Sequence, residues 1–247
     1  MNNKDLLQQY VDTGLSINIG QFNKLSENLL QTYLRKRFIS VMNSTGDLTL
    51  YEYSALNDDR KKEYLGWVIK RHEYVTSDFI KISSDSVKDF FIDAIIDFKD
   101  TIYNDVFSLL SEESKLKYIE HIVRVKKFLG YEFLDEMSDE LKYKYYELKI
   151  DSNGYLNYHL IPDELRLKYF NVMIENNREL SDIAYMDMPD DMKYKYITHI
   201  KNRLLNQTQI EHTPDNILMV YFKQRLSQGW GLEGFEEQIY NKIKNEQ

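Results

Sequence analysis

The chain of 247 residues contains no cysteine, and it has only 3 prolines and 9 glycines. The absence of cysteine excludes a disulfide framework, a thiolate nucleophile and a zinc site with cysteine ligands. A sheet protein needs glycine and proline at its many turns, so this scarcity favours a helical fold. By contrast, 20 tyrosines and 12 phenylalanines supply enough apolar area for a packed core, which disfavours disorder.

Long apolar runs are also missing. No uninterrupted run approaches the roughly 18 residues that a membrane span requires. The first residues lack the basic and then apolar pattern of a secretory leader. These features predict a cytoplasmic protein with no membrane partner. The net charge of −8 disfavours general nucleic-acid binding, which usually depends on a surplus of basic residues.

Motifs for catalysis or for a metal are lacking as well. The five histidines do not occur in HExxH or another metal-ligating spacing. The segment GWGLEG places Gly229, Gly231 and Gly234 at the spacing of a dinucleotide-binding loop, but only 13 residues follow it, too few for a βαβ unit. The sequence therefore predicts a protein that is not an enzyme, holds no cofactor or metal and takes no small-molecule substrate.

What the sequence does contain is a short repeated motif. The motif begins with Ser, Asn or Pro, usually continues with acidic residues, and carries an aromatic residue seven positions after its start. The starts are Asn3, Ser26, Asn57, Ser84, Ser111, Ser138, Pro162, Pro189 and Pro214. Counted from these starts, the residues at position +7 are Tyr10, Tyr33, Tyr64, Phe91, Tyr118, Tyr145, Tyr169, Tyr196 and Tyr221. Nine aromatic residues in nine equivalent positions indicate an internal repeat, and its central spacing is 27 residues in four of five intervals.

Each repeat is predicted to form one long and one short helix. The Ser, Asn or Pro start and the acidic residues beside it suit the first turn of a helix, and apolar residues at +3, +7, +8 and +11 give it one apolar face. Apolar residues at −4 and −1 predict a short helix before each start. Because such a unit cannot bury its apolar face alone, neighbouring repeats must stack. We therefore predict an all-α, right-handed-type α-solenoid of about nine repeats over residues 1–228, closed by a capping turn and helix over 229–247.

This architecture resembles the helical-repeat solenoids of the HEAT, armadillo and tetratricopeptide kind. It lacks their signatures, and its repeat is shorter than their usual length of about 34 to 47 residues. The resemblance implies an extended surface for binding a macromolecule, and it assigns no functional residues.

The charged positions repeat with the motif. An acid at +2 and a lysine at +6 predict ion pairs within each helix. These pairs are Glu113–Lys117, Glu140–Lys144, Glu164–Lys168 and Asp191–Lys195. A basic ladder at +4 consists of Lys61, Lys88, Lys115, Lys142, Arg166 and Lys193. Because +4 lies within the apolar face, each side chain either covers apolar neighbours and pairs with an acidic helix start, or the ladder lines an anion-binding groove.

Position +5 changes character along the chain. It is polar in the first four repeats and apolar in the last five, where the residues are Leu116, Tyr143, Leu167, Tyr194 and Met219. This stripe either widens the core or forms an exposed surface that receives a partner.

The repeat predicts a non-enzymatic protein-binding scaffold or inhibitor with one macromolecular protein partner, bound along the stripe at +5. The abundance of Ile, Lys, Asn and Tyr suggests an A/T-rich coding sequence, so a viral protein that blocks a host factor is a special case of this prediction. The alternative is a protein that engages nucleic acid through the basic ladder, or mimics nucleic acid with its acidic helix starts.

Overall fold

A computed structural model describes residues 3–44, 46–98, 100–127, 129–152, 156–199, 204–232 and 234–246. Within these residues there are 17 α-helices, one 3-10 helix and no strand. None of the described helices is long and apolar enough to cross a membrane.

A long helix begins at or directly after every predicted start. They are α1 (Asn3–Thr13), α3 (Glu27–Met42), α5 (Asp58–Lys70), α7 (Asp85–Asp97), α9 (Glu112–Arg124), α11 (Asp139–Asp151), α12 (Asp163–Glu175), α14 (Asp190–His199) and α16 (Asp215–Ser227). Short helices precede eight of them. These are α2 (Ile19–Phe22), α4 (Leu50–Ser54), α6 (Ser77–Lys81), α8 (Asn104–Phe107), α10 (Tyr131–Asp135), a 3-10 helix (Tyr158–Leu160), α13 (Asp182–Met186) and α15 (Gln207–Glu211). The chain ends with α17 (Phe235–Glu246).

Neighbouring repeats pack on each other, long helix on long helix and short helix on short helix. The chain divides into two compact units, Met1–Leu141 and Lys142–Gln247. In the first unit α5 packs on α7 and α7 on α9, while α4 packs on α6 and α6 on α8. In the second unit α12 packs on α14, α14 on α16 and α13 on α15, and α17 packs on α16. The predicted fold class, an all-α solenoid of short helical repeats, is confirmed.

In several repeats the starting residue caps the long helix as the motif predicts, whereas Ser26 makes no such contact. The side chains of Asn57, Ser84 and Ser111 each accept a hydrogen bond from the main-chain N–H three residues later. This contact satisfies one of the amides that a helix leaves unpaired at its N-terminus. The cap of Ser84 also links two repeats, because its hydroxyl donates to the carboxylate of Asp58 at 2.6 Å.

The aromatic side chains at +7 form the centre of the core. Tyr33, Tyr118 and Tyr196 are at most 2% exposed. All the others except the half-buried Tyr10 are buried as well, so the predicted orientation of the long helix is confirmed.

A hydrogen bond that the motif does not predict fixes these rings. In four repeats the tyrosine hydroxyl accepts the N–H of the residue sixteen positions earlier, which is apolar and buried. The pairs are Ile17 with Tyr33 at 3.3 Å, Leu48 with Tyr64 at 3.3 Å, Ile102 with Tyr118 at 3.2 Å and Leu205 with Tyr221 at 3.1 Å. The tyrosine thus satisfies a buried amide in the connection that leads to its own short helix.

Candidate partner-binding surface

Three residues of the apolar stripe at +5 are exposed in the second unit. The exposed fraction is 38% for Tyr143, 55% for Leu167 and 48% for Tyr194. The residues at +7 and +8 of these helices, such as Tyr196 and Ile197, are buried at 1% and 0%. Position +5 therefore lies beside the apolar face and not within it, and we call Tyr143, Leu167 and Tyr194 the +5 row.

The stripe does not extend over all five predicted residues. Leu116, in the first unit, is half-buried. Met219 is only 7% exposed, so the prediction of an exposed stripe is wrong at this position. Met219 lies three residues before Phe222, on the same side of α16. The centre of the Phe222 ring lies 5.7 Å from the centre of the Tyr240 ring of α17. The C-terminal helix packs against this side, which accounts for the burial of Met219.

A row of ion pairs borders the +5 row. Lys168 Nζ lies 2.8 Å from Asp151 Oδ1 and 3.4 Å from Glu147 Oε1, both on the preceding long helix. Lys144 donates to Glu147 at 2.7 Å, and these lysines hold the pKa of the Glu147 carboxyl below its usual range. The second unit therefore carries a neutralised charged row next to its exposed apolar row.

The lysines at +6 thus connect helices, and the predicted pairing within each helix is wrong for three of them. Their partners lie on the preceding long helix. Position +6 of one long helix is close to positions +9 and +13 of the long helix before it. The contacts are Lys117 with Asp93 at 3.8 Å, Lys168 with Asp151 at 2.8 Å and Lys195 with Glu175 at 3.6 Å. Consequently the carboxylates of Glu164 and Asp191 at +2 form no ion pair among the described residues.

The side chains of the basic ladder at +4 are buried or half-buried in the fold. Lys61, Lys115 and Lys193 are buried, and Lys88, Lys142 and Arg166 are half-buried. Lys193 shows the arrangement: its Nζ donates to the main-chain oxygen of His212 at 2.9 Å and lies 3.9 Å from Asp190 Oδ1. It also lies 5.8 Å from the centre of the Tyr185 ring. The cation therefore joins its own helix start to the next short helix.

The same contacts recur in other repeats. Lys115 donates to the Glu136 main-chain oxygen at 2.8 Å and to Glu112 at 3.0 Å. Arg166 lies 2.9 Å from Asp163 and 3.8 Å from Asp187. These contacts favour the first of the two interpretations, in which the ladder is structural.

A second set of surface features, at the connections between repeats, was missed by the sequence analysis. The second unit has a cavity of about 490 Å³ beside Tyr158, Tyr169 and Asn177. Another of about 480 Å³ lies beside Arg225 and Trp230. Apolar side chains in the connections do not follow the helical period, so the pattern that reveals the repeat does not reveal these sites.

Trp230 rims the last of these cavities. It is 36% exposed, and the guanidinium of Arg225 lies 5.7 Å from its ring centre. Arg225 also bonds Glu236 of α17 and the main-chain oxygen of Gly231, the latter at 3.0 Å. The GWGLEG segment thus contributes to the contact between α16 and α17.

No group of three or more His, Cys, Asp and Glu side chains within the described residues is arranged to hold a metal ion. No protein-family model, no curated protein and no solved structure matches this chain. The function has to be inferred from the surface itself.

Proposed function

We propose that this chain is a non-enzymatic protein-binding scaffold or inhibitor that holds its partner on the +5 row. The observation that carries the proposal is the exposure of Tyr143, Leu167 and Tyr194 on three successive long helices of the second unit. Tyrosine combines a large apolar body with a polar tip and is enriched at the centres of interfaces. Neither capping nor core packing requires an apolar residue at these positions.

The charges around the +5 row favour a basic partner segment. Glu164 lies three residues before Leu167, and Asp191 lies three residues before Tyr194, so each carboxylate is next to the apolar side chain on the helix surface. Both carboxylates are exposed. On the same side of the row, beyond these carboxylates, the lysines at +6 are neutralised by ion pairs. A segment that presents apolar side chains flanked by lysine or arginine would complement this surface.

The nucleic-acid alternative has less support, because it requires the basic ladder to face a ligand. The side-chain nitrogens of Lys115 and Lys193 are within 3.0 Å of main-chain or carboxylate oxygens of the protein itself. An anion at this site would have to replace those internal contacts.

The proposal is tested by purifying the partner from the native cell with the tagged chain, and then measuring its affinity for variants. Replacing both Tyr143 and Tyr194 by Ala should raise the Kd at least about tenfold, since each truncated anchor costs about 1 kcal/mol or more. Tyr131→Ala is the matched control, because Tyr131 is 55% exposed but lies in the first unit.

An unchanged Kd for the double variant would contradict the proposal. A loss of binding in Tyr131→Ala, with the double variant unaffected, would place the partner on the first unit instead.

A further inference from the structure

A cavity of about 130 Å³ lies in the first unit between the end of α5, the middle of α7 and the segment before α8. Its floor consists of buried apolar side chains, among them Phe91 and Ile95. At its rim are Tyr74 and Tyr103, which are 52% and 62% exposed and whose rings meet edge to face at 4.7 Å. The cavity shares no residue with the +5 row.

The cavity lies where the repeat pattern lacks one hydroxyl group. Phe91 occupies position +7, and the residue sixteen positions before it is Val75. Both residues line the cavity. In four other repeats the +7 tyrosine accepts this N–H. Val75 is only 7% exposed, and its N–H donates no hydrogen bond within the described residues.

A buried N–H without an acceptor is costly, so an occupant that supplies an acceptor would be favoured. Glu73 and Asp100 line the cavity, and neither Lys nor Arg does among its described lining residues, which disfavours an anionic acceptor. A cation has no acceptor to offer. The occupant is therefore a neutral group with an oxygen acceptor.

The size and the rim of the cavity indicate a single aromatic ring. An engineered cavity of about 150 Å³ binds benzene, so a cavity of similar volume can hold one aromatic ring. The exposed rings of Tyr74 and Tyr103 offer the edge-to-face contacts that aromatic rings prefer. In the next repeat the fold itself places a ring-borne hydroxyl at the equivalent amide, where Tyr118 accepts the N–H of Ile102.

We propose that this cavity binds a phenol, with the ring against Tyr74 and Tyr103 and the hydroxyl accepting the N–H of Val75. The phenol is either a free small molecule or the tyrosine side chain of another protein. This site is independent of the function proposed above.

The test is a titration of the isotope-labelled full chain with p-cresol, followed by 1H–15N correlation spectra. Saturable shifts are expected at the amides of Val75, Thr101 and Tyr103. Toluene lacks the hydroxyl and cannot accept the N–H of Val75. Because it loses this one hydrogen bond, it should bind roughly fivefold more weakly than p-cresol. If p-cresol produces no saturable shift, or if toluene binds equally well, the proposal is overturned and the cavity holds water only.

Two variants locate the site. Phe91→Tyr supplies the hydroxyl from within the protein and should abolish p-cresol binding, whereas unchanged binding would overturn the placement. Tyr103→Ala removes an exposed rim ring, so the fold is retained even if Phe91→Tyr does not fold, and the affinity for p-cresol should fall several-fold. Unchanged affinity in Tyr103→Ala would also count against the proposal.

N-acetyl-L-tyrosinamide distinguishes the two sources of the phenol. Binding as tight as that of p-cresol supports the site and assigns it to a tyrosine side chain of another protein. Binding of p-cresol without binding of the tyrosine amide supports the site and assigns it to a free phenol.

Discussion

The ammonium group of Lys115 donates a hydrogen bond to the main-chain oxygen of Glu136, 2.8 Å away, and Glu136 is the C-cap residue of the next short helix, α10. A helix leaves its last carbonyl groups unpaired, and a lysine that reaches one of them stabilises the end of that helix. The contact between Lys193 and His212 repeats the arrangement in the second unit. The basic ladder is thus part of the stacking of repeats.

Replacing Lys115 by Met tests this role. Methionine preserves most of the apolar stem but leaves the Glu136 carbonyl without its donor, so the free energy of unfolding should fall by about 1–2 kcal/mol. Chemical denaturation measures the change. The control is Lys117→Met on the same helix, where the side chain is 41% exposed and the ion-pair distance is 3.8 Å, and where the change should stay within about 0.5 kcal/mol. A Lys115→Met protein as stable as the original would show that burying the cation cancels the benefit of the contact.

The hydroxyl at +7 can be removed from one repeat and added to the preceding one. Tyr118→Phe leaves the buried N–H of Ile102 without an acceptor, so the unfolding free energy should fall by about 1–2 kcal/mol. Phe91→Tyr adds an acceptor for Val75 and should raise it by about 1 kcal/mol, provided that the cavity accommodates the extra oxygen. Opposite signs in denaturation experiments are the expected result. Destabilisation by Phe91→Tyr would mean that the equivalence of the two repeats fails at this position.

Several long helices are followed, two residues after their last residue, by a residue in the left-handed region. His72, Lys126 and Asn177 have φ of 57°, 56° and 49°, and Gly229 occupies the same repeat position with φ of 80°. The N–H groups of residues 126 and 127 donate hydrogen bonds to the main-chain oxygens of Val123 and Ile122, both at 3.0 Å. These bonds satisfy two of the carbonyl groups that the end of the helix leaves unpaired. A side chain with a Cβ atom is strained in this conformation, and glycine is not.

Lys126→Gly relieves this strain but increases the conformational entropy of the unfolded chain. The net effect should be a stabilisation of the first unit by up to about 1 kcal/mol. Thermal unfolding measures the difference. Lys126→Ala removes the same side chain without relieving the strain and should not stabilise. If Ala and Gly behave alike, the lysine side chain and not the backbone conformation determines the result.

The sequence predicted the features that recur in every repeat. The helix starts, the burial of residues such as Tyr118 and the presence of a short helix follow from capping and periodicity alone. Two features could not be predicted, because they depend on how helices meet. Lys168 pairs with Asp151 because of the offset between parallel helices, and Met219 is buried beside a helix outside the repeat pattern.

Alkaline pH should unfold the protein in a defined range. Burial raises the pKa of Tyr53, Tyr64 and Tyr185 to about 12, from an ordinary value near 10. The unfolded chain therefore releases these protons at lower pH than the folded chain does. The stability is fully present below about pH 10 and is lost as the pH rises towards 12. Tyrosinate absorbance and helical circular dichroism should change together over this range. Ionisation of every tyrosine near pH 10 with the helix retained would contradict the burial of these hydroxyls.

The +5 row should tolerate truncation, whereas tyrosines two residues further along should not. Tyr143 and Tyr145 are 38% and 5% exposed, and Tyr194 and Tyr196 are 48% and 1% exposed. Replacing Tyr145 or Tyr196 by Ala removes a buried ring and should lower the unfolding free energy by about 3 kcal/mol or more. Replacing Tyr143 or Tyr194 by Ala should change the unfolding free energy by no more than about 0.5 kcal/mol, because these exposed rings contribute little to the stability of the fold. Denaturation of the four single variants provides the measurement, with residue type and helix matched within each pair. A large loss for Tyr143→Ala or Tyr194→Ala would show that the row belongs to the core, and the proposed binding surface would then lose its basis.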